Sequence, residues 1–496
     1  MLVMQKGERH ELSNRNKASL RSDEYELVIN HLQKLLAERE EIIQSLQAQL
    51  NSIKGSAGWA VFQKLWRIYE RLRFATFYAK TTPYLSKTNN SSSPNNEAFA
   101  VKVTDLAPSI SGDGLESVAH AESHNLVKAC LKQSREALRG LRGDDIRAIA
   151  FYLPQFHPIK ENDQWWGQGF TEWTNVTKGR PNFEGHYQPH LPADLGFYDL
   201  RISEARERQA ELAREYGIHG FCYYHYWFGG RRLLERPFNE VLSSGHPDFP
   251  FCLCWANENW TRRWDGGKNE TLIAQRYSDE DDRNFIRSLF PAFEDRRYIR
   301  INGKPLLIVY RADILPDAKQ TAAIWREEMK NAGVGEIYLC AVQSFGVHIA
   351  PEHYEFDGAV EFPPHGQTAP NLNSQVARVN PDFAGVVVDY MTNANALIHR
   401  PKPDYTLFKT VMTGWDNTPR RQDAGLIFVN SGPEAFEYWL GKAVEHMIAN
   451  YKGAERMVFI NAWNEWGEGA HLEPDRRYGR RYLEATRNVL SAVRRA

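Results

Sequence analysis

MVFINAWNEWGEG, residues 457–469, changes texture halfway along. Met457 to Ile460 is an unbroken apolar run, as expected of a strand buried on both faces in a parallel sheet. It gives way at once to Trp463, Asn464, Glu465, Trp466 and Glu468, with Gly467 and Gly469 permitting a tight backbone. In a parallel barrel the reactive groups sit where the strands end and their loops begin. Seven further runs repeat the pattern upstream: IRAIAFYL (146–153), GIHGFCYYHYW (217–227), FPFCLCWAN (249–257), PLLIVYR (305–311), IYLCAVQ (337–343), DGAVEFP (357–363) and LFKTVMTGW (407–415). Between them lie amphipathic stretches such as ISEARERQAELAREY, DEDDRNFIRSLFPAF, AKQTAAIWREEMKNA and PEAFEYWLGKAVEHMIANY. Eight such units over about 350 residues are what a (β/α)₈ TIM barrel with insertions requires. A doubly wound sheet is the alternative, but no G-x-G-x-x-G follows the first run. The expected fold class is therefore α/β, a (β/α)₈ barrel over 144–496.

The ends of the runs share a composition. The first leads through Tyr152 and His157 to Trp165, Trp166, Glu172 and Trp173; the second ends in His225 and Trp227; the third in Trp255, Asn257 and Glu258. Glu361 ends the sixth, Trp415 and Asn417 the seventh, Trp463 and Asn464 the eighth. One Trp at such a place suits a core as well as a binding surface. Recurrence at one end of strand after strand suits sugar recognition, with rings stacking on sugar faces and polar groups bonding hydroxyls. These residues form the expected substrate-binding set, with Glu258 read either as a hydroxyl contact or as an ion pair with Arg262 or Arg263. Glu465 and Glu468 are the expected catalytic pair. Glycosyl transfer needs an acid for the leaving oxygen and usually a second carboxylate, and neighbouring carboxyls push their pKa values apart. Glutamates three apart are also common on solvated helices; placement among Trp and Gly after an apolar strand favours chemistry.

Composition narrows the function. With 61 basic and 62 acidic residues the net charge is -1, which gives no drive toward nucleic acid. The chain has 14 Trp, 22 Tyr and 25 Phe, enough to furnish aromatic walls as well as a core. Four of the five cysteines fall inside apolar runs, which reads as buried thiols in a reducing cytoplasm. Cys252 and Cys254 form C-x-C without a second pair, and Asp279-Glu280-Asp281-Asp282 opens a helix instead of ending a strand. Neither metal nor cofactor is expected.

The N-terminal part has another character. Residues 1–22 are polar and read as disordered, without the apolar core of a secretion signal. In 23–54, Ile29, Leu32, Leu36, Ile43, Leu46, Leu50 and Ile53 fall on heptad positions, broken at Arg39, which reads as a coiled coil and a route to homo-oligomers. In 55–80, Trp59, Phe62, Leu65, Trp66 and Tyr69 recur at helical spacing beside Lys64, Arg67, Arg71 and Arg73. Such a basic amphipathic helix suits an anionic membrane surface or a partner helix. Residues 81–114 read as a flexible linker and 115–143 as a helical connector. With no apolar stretch of about 18 residues, the expected location is cytoplasmic, peripheral to the inner face of the plasma membrane.

The strings AIAFYLPQFHP, WWGQGFTEWTNV, HGFCYYHYWF, CLCWANENWTRRWDG and FINAWNEWGEGAHLEPD resemble the WbsX-like glycosyltransferases of bacterial surface-polysaccharide clusters. Those proteins are related to glycoside hydrolase family 99, the endo-α-mannosidases and endo-mannanases. The resemblance spans about Arg147 to Arg481 and implies a (β/α)₈ barrel. Asn464-Glu465-Trp466-Gly467-Glu468 matches the hydrolases' N-E-W-x-E, with Gly467 where they carry a larger polar residue. Carried over, Glu465 is the base that deprotonates the sugar 2-hydroxyl to give a 1,2-anhydro intermediate, and Glu468 is the general acid/base. The expected partners are a sugar donor and an oligosaccharide or lipid-linked glycan acceptor. Three readings stay open: a membrane-peripheral transferase, an endo-acting retaining glycosidase, and a non-catalytic carbohydrate-binding scaffold.

Overall fold

The eight apolar runs form eight parallel strands. They are β1 (Arg147–Tyr152), β2 (Gly220–Phe228), β3 (Phe251–Trp255), β4 (Lys304–Val309), β5 (Tyr338–Gln343), β6 (Gly358–Glu361), β7 (Leu407–Met412) and β8 (Met457–Asn461). Each pairs with its sequence neighbour, and β8 pairs back onto β1, so the sheet closes into a barrel. At the seam Ile149 of β1 stands opposite Gly220 on one side and Phe459 on the other. A Cβ on Gly220 would meet the Pro250 carbonyl at 2.6 Å, which is why the entrance of β2 has no side chain. This computed structural model describes residues 131–494 except 144, 263–270 and 368. The expectations for 1–22, 23–54, 55–80 and 81–114 lie outside the described residues, as does most of 115–143, of which 131–139 are helical.

Helices cover the outside of the barrel: α1 (Ser203–Glu215), α2 (Arg236–Ser244), α3 (Asp279–Glu294), α4 (Ala318–Asn331), α5 (Tyr390–Ile398), α6 (Pro433–Asn450) and α7 (Arg481–Arg494). A 3₁₀ turn, Pro351–Tyr354, replaces the helix between β5 and β6. α3 shows how sequence sets these elements. Ser278 caps it by accepting from the Asp281 amide, the acidic run fills its first turn, and Phe285, Ile286, Leu289 and Phe293 recur at the spacing that buries one face. Cys222, Cys252, Cys254 and Cys340 are buried free thiols within the strands. Among the described residues no helix is long and apolar enough to cross a membrane.

Strand alternation decides what reaches the inside. Along β2, Tyr223 packs on Phe238 of α2, and His225 and Trp227 pack on Phe285 of α3, while Tyr224 and Tyr226 face a cleft at the C-terminal end of the barrel.

Candidate active site

The cleft encloses about 970 Å³, its open mouth included. Its floor is a knot of charge. Arg420, on the short helix Thr418–Arg421 after β7, donates from Nε to Glu172 at 2.7 Å, from Nη1 to Glu468 at 2.7 Å and from Nη2 to Glu465 at 2.8 Å. The second oxygen of Glu172 accepts from Gln155 Nε2 at 2.9 Å. Three carboxylates thus share one guanidinium in a buried place.

Burial pushes both Glu465 and Glu468 upward, Arg420 opposes that, and the neighbouring carboxylates reinforce it; Glu468 is pushed up to about 8. Burial works against the charge of Arg420 too, but the three carboxylates outweigh it and hold the guanidinium firmly protonated. Burial and mutual repulsion thus both favour a carboxyl that keeps its proton, most strongly at Glu468.

A miniature hairpin presents the pair. Asn464–Glu465 pairs antiparallel with Ala470–His471, a 3₁₀ turn (Trp466–Glu468) joins them, and Gly469 takes the left-handed conformation at φ 62°. Its supports are buried. Asn464 clasps β1 by accepting from the Leu153 amide at 2.7 Å and donating to the Leu153 carbonyl at 3.0 Å. Trp466 Nε1 donates to Glu473 at 2.6 Å, and Glu473 also accepts from Tyr198 and Gln209. Burial pushes Glu473 up to about 7 although those donors pull it down. The Asp416 amide donates to the Glu468 carbonyl at 2.7 Å, while the Asp416 carboxylate accepts from His186 and Gln188, each at 2.6 Å. Gly467 is demanded by the site: a Cβ there would lie 1.9 Å from Glu172 Oε1.

Aromatic rings wall the cleft, among them Trp166, Trp260, Trp415, Tyr224, Tyr226 and Tyr310. Of the residues singled out from sequence, Trp166, Glu258, Trp415, Glu465 and Glu468 line it. Glu172 lies behind Arg420, on the floor but not on the wall. Glu258 does have an ion-pair partner, Arg311 at 2.8 Å, while Arg262 donates to the Trp165 carbonyl and Arg263 lies outside the described residues. Trp165 stands beside the cleft, edge-on to Trp260.

The others sit in the frame and not in the cleft wall. The Tyr152 hydroxyl donates to Gln209, His157 contacts the Pro154 carbonyl, and Trp173 donates to the Tyr198 carbonyl. His225 is buried under α3, Trp227 donates to Asp281, and Trp255 stacks on Phe285. Asn257 clasps the backbone of Arg311 in both directions, and Asn417 accepts from the Leu426 amide. Trp463 packs on Phe221, Asn464 is the clasp already described, and Glu361 is paired with Lys409 at 3.0 Å and Arg400 at 3.5 Å. The set expected from sequence lacks Arg420 and Tyr310, and also Tyr224, Tyr226 and Trp260, although these three stand at the ends of the second and third strands. The two tyrosines had a signal, since they alternate with the chosen His225 and Trp227. Among the described residues, the group with metal-ligand chemistry is His190, His471 and Asp475, and none of the three lines the cleft.

Buried carboxylates thus lie beneath aromatic walls at the C-terminal face of a closed (β/α)₈ barrel, where such barrels carry their sites. The chain belongs to the Glycosyltransferase WbsX family, whose model matches residues 148–486. It is 51% identical over 343 residues to the uncharacterized protein WxcX of Xanthomonas campestris pv. campestris, in strain ATCC 33913 and again in strain B100. The match takes in 69% of this chain and 49% of the relative, so the chain spans about half the length of the curated relatives it matches. Among solved structures it is similar to a glycoside hydrolase-like protein (14% identity, 70% of this chain and 94% of that one, TM-score 0.44). It is also similar to the GH99 endo-alpha-mannosidase from Bacteroides thetaiotaomicron (13% identity, 71% and 98%, TM-score 0.43).

Proposed function

We propose that the protein transfers glycosyl groups in the assembly of a bacterial surface polysaccharide, with Glu465 and Glu468 as its reacting carboxyls. The observation that carries this reading is the Arg420 knot, which gathers both carboxyls beneath an aromatic cleft, where burial pushes them upward. Glu465 takes the proton of the sugar 2-hydroxyl as O2 bonds to C1, and the bond from C1 to the leaving oxygen breaks as Glu468 gives that oxygen its proton. An acceptor hydroxyl then opens the 1,2-anhydro ring at C1. Glu468 takes the acceptor's proton, Glu465 returns its own to O2, and configuration at C1 is retained. The walls supply stacking for the sugar rings, and Glu258 a hydroxyl contact.

Water in place of the acceptor would make the same residues an endo-acting hydrolase. One feature favours that second reading: a carboxyl that burial pushes upward suits a sugar alkoxide leaving group, which needs protonation, more than a diphosphate, which does not. The membrane and coiled-coil proposals concern 23–80 and predict that full-length protein floats with anionic liposomes at low salt while a barrel beginning near residue 115 does not.

The test is incubation of the purified protein with nucleotide-linked and lipid-linked sugar donors and with mannan-type oligosaccharides, read by mass spectrometry. Products longer than the acceptor support transfer, and shortened oligosaccharides support hydrolysis. If neither appears while sugars still bind, the binding-scaffold reading takes over.

A further inference from the structure

We propose that His190, His471 and Asp475 form a divalent-metal site of zinc-binding chemistry, which fastens the loop after β1 to the segment that follows the catalytic hairpin. Each contributes one ligand atom, and the three atoms lie within 4.8 Å of one another. Two imidazoles and a carboxylate are a donor set that zinc takes readily, with a further position left for water.

The geometry is prepared on each ligand. His471 Nδ1 lies 3.0 Å from the Glu473 carbonyl, and since a carbonyl only accepts, the ring proton sits on Nδ1 and the Nε2 lone pair is bare. A backbone carbonyl on the far nitrogen is the usual way a metal-binding imidazole is held. His190 Nδ1 stands 3.0 Å from that Nε2, against about 3.3 Å for two nitrogens on tetrahedral zinc. An Asp475 oxygen, Oδ2, is 4.0 Å from the same nitrogen, while Oδ1 accepts from the Tyr478 amide at 2.5 Å and so anchors the carboxylate. A shift of Oδ2 toward the two nitrogens, by roughly 1–1.5 Å at most, completes the triangle.

The backbones are already joined. Pro192 and Asp475 form an antiparallel bridge, the Ala193 amide donates to the Pro474 carbonyl at 2.9 Å, and the Arg476 amide donates to the Leu191 carbonyl at 3.0 Å. An ion here would not have to gather its ligands from separate mobile pieces. Without one, His190 Nδ1–H donates to His471 Nε2; with one, that proton moves to Nε2 of His190 and both lone pairs turn to the metal. Trp466, between the two catalytic glutamates in sequence, stacks on His471 with ring centroids 3.7 Å apart, so the ion would stiffen the hairpin from behind without touching substrate.

The test is a calorimetric titration of full-length, chelator-stripped protein with Zn²⁺. One saturable ion per chain is expected, lost in His190→Ala and weakened roughly tenfold or more in Asp475→Asn, which keeps an acceptor for the Tyr478 amide. Circular dichroism establishes that both variants are folded, and Asp475→Asn covers the case in which His190→Ala is not. Wild type that takes up no Zn²⁺ saturably overturns the proposal. So does uptake that is the same in wild type and in the folded variants.

Discussion

Glu361, at the end of β6, is buried between two cations, accepting from Lys409 at 3.0 Å and from Arg400 at 3.5 Å. A few strands round the same barrel the proportions are inverted, and Glu172, Glu465 and Glu468 crowd onto the single guanidinium of Arg420. Both clusters are ionic, buried and near the same end of the sheet, so burial and charge alone do not separate structure from chemistry. The ratio of carboxylates to cations differs. Glu361, flanked by two cations, ties β6 to β7, whereas three buried carboxylates around one guanidinium favour a retained proton, which is what a leaving group would need.

The sharpest way to break this contrast is to neutralise the acids. Glu465→Gln and Glu468→Gln are each expected to lower turnover by about a thousandfold or more. Activity of both variants within about tenfold of wild type would return the knot to the category of Glu361.

Next comes the cation on either side. Arg420→Met should cost roughly a hundredfold in kcat and move the alkaline limb of the pH–rate profile upward, because the carboxylates lose the guanidinium they share. Lys409→Met should cost about 3–5 kcal/mol in denaturant unfolding, as breaking a buried pair does, with kcat of the folded fraction unchanged. Interchanged outcomes would overturn the comparison.

Burial of the pair also implies a pH dependence of stability. It pushes the Glu468 carboxyl up to about 8, above its ordinary value near 4.5, so between those values the folded state is expected to bind more protons than the unfolded one. Stability from this group is full below about pH 4.5 and falls as pH rises toward about 8. Glu473, pushed up to about 7, acts in the same sense. The expected observation is therefore a difference: Tm of wild type should drop more steeply between about pH 5 and pH 8 than Tm of Glu468→Gln. Parallel slopes would show that the proton lies elsewhere.

The smallest expected effect separates two indoles. Trp166→Ala, on the cleft wall, should raise KM about tenfold and change stability little, whereas Trp255→Ala, buried against Phe285, should cost about 3–5 kcal/mol. Ligand titration and thermal melts on the two variants check it.

These contrasts mark where sequence stops being enough. The barrel was legible because each strand is a short apolar run, and β8 with its Trp-Asn-Glu-Trp sequel marks the end at which the cleft opens. Which side of a strand faces the cleft was not. In β2 a period of two makes Tyr224 and Tyr226 one set and His225 and Trp227 the other, but both sets are aromatic and polar enough to suit a sugar. The barrel decided it by packing α3 against the second set. Arg420 was harder still, because it sits 248 positions from Glu172 in an ordinary polar turn and matters only through distances that closure of the barrel creates. The partner of Glu258 escaped for the same reason: Arg262 is near in sequence, but Arg311 is near in space.

The 1.9 Å between a would-be Cβ at position 467 and Glu172 Oε1 makes these two positions rivals for one volume. A lineage can fill that hole from the hairpin or from across the barrel, but not from both. Gly467→Ala alone is thus a collision, while the same change together with Glu172→Ala is a reassignment of tenancy. A directed-evolution library that varies the two positions jointly should recover active clones on a narrow ridge of paired identities, with almost nothing on either side of it.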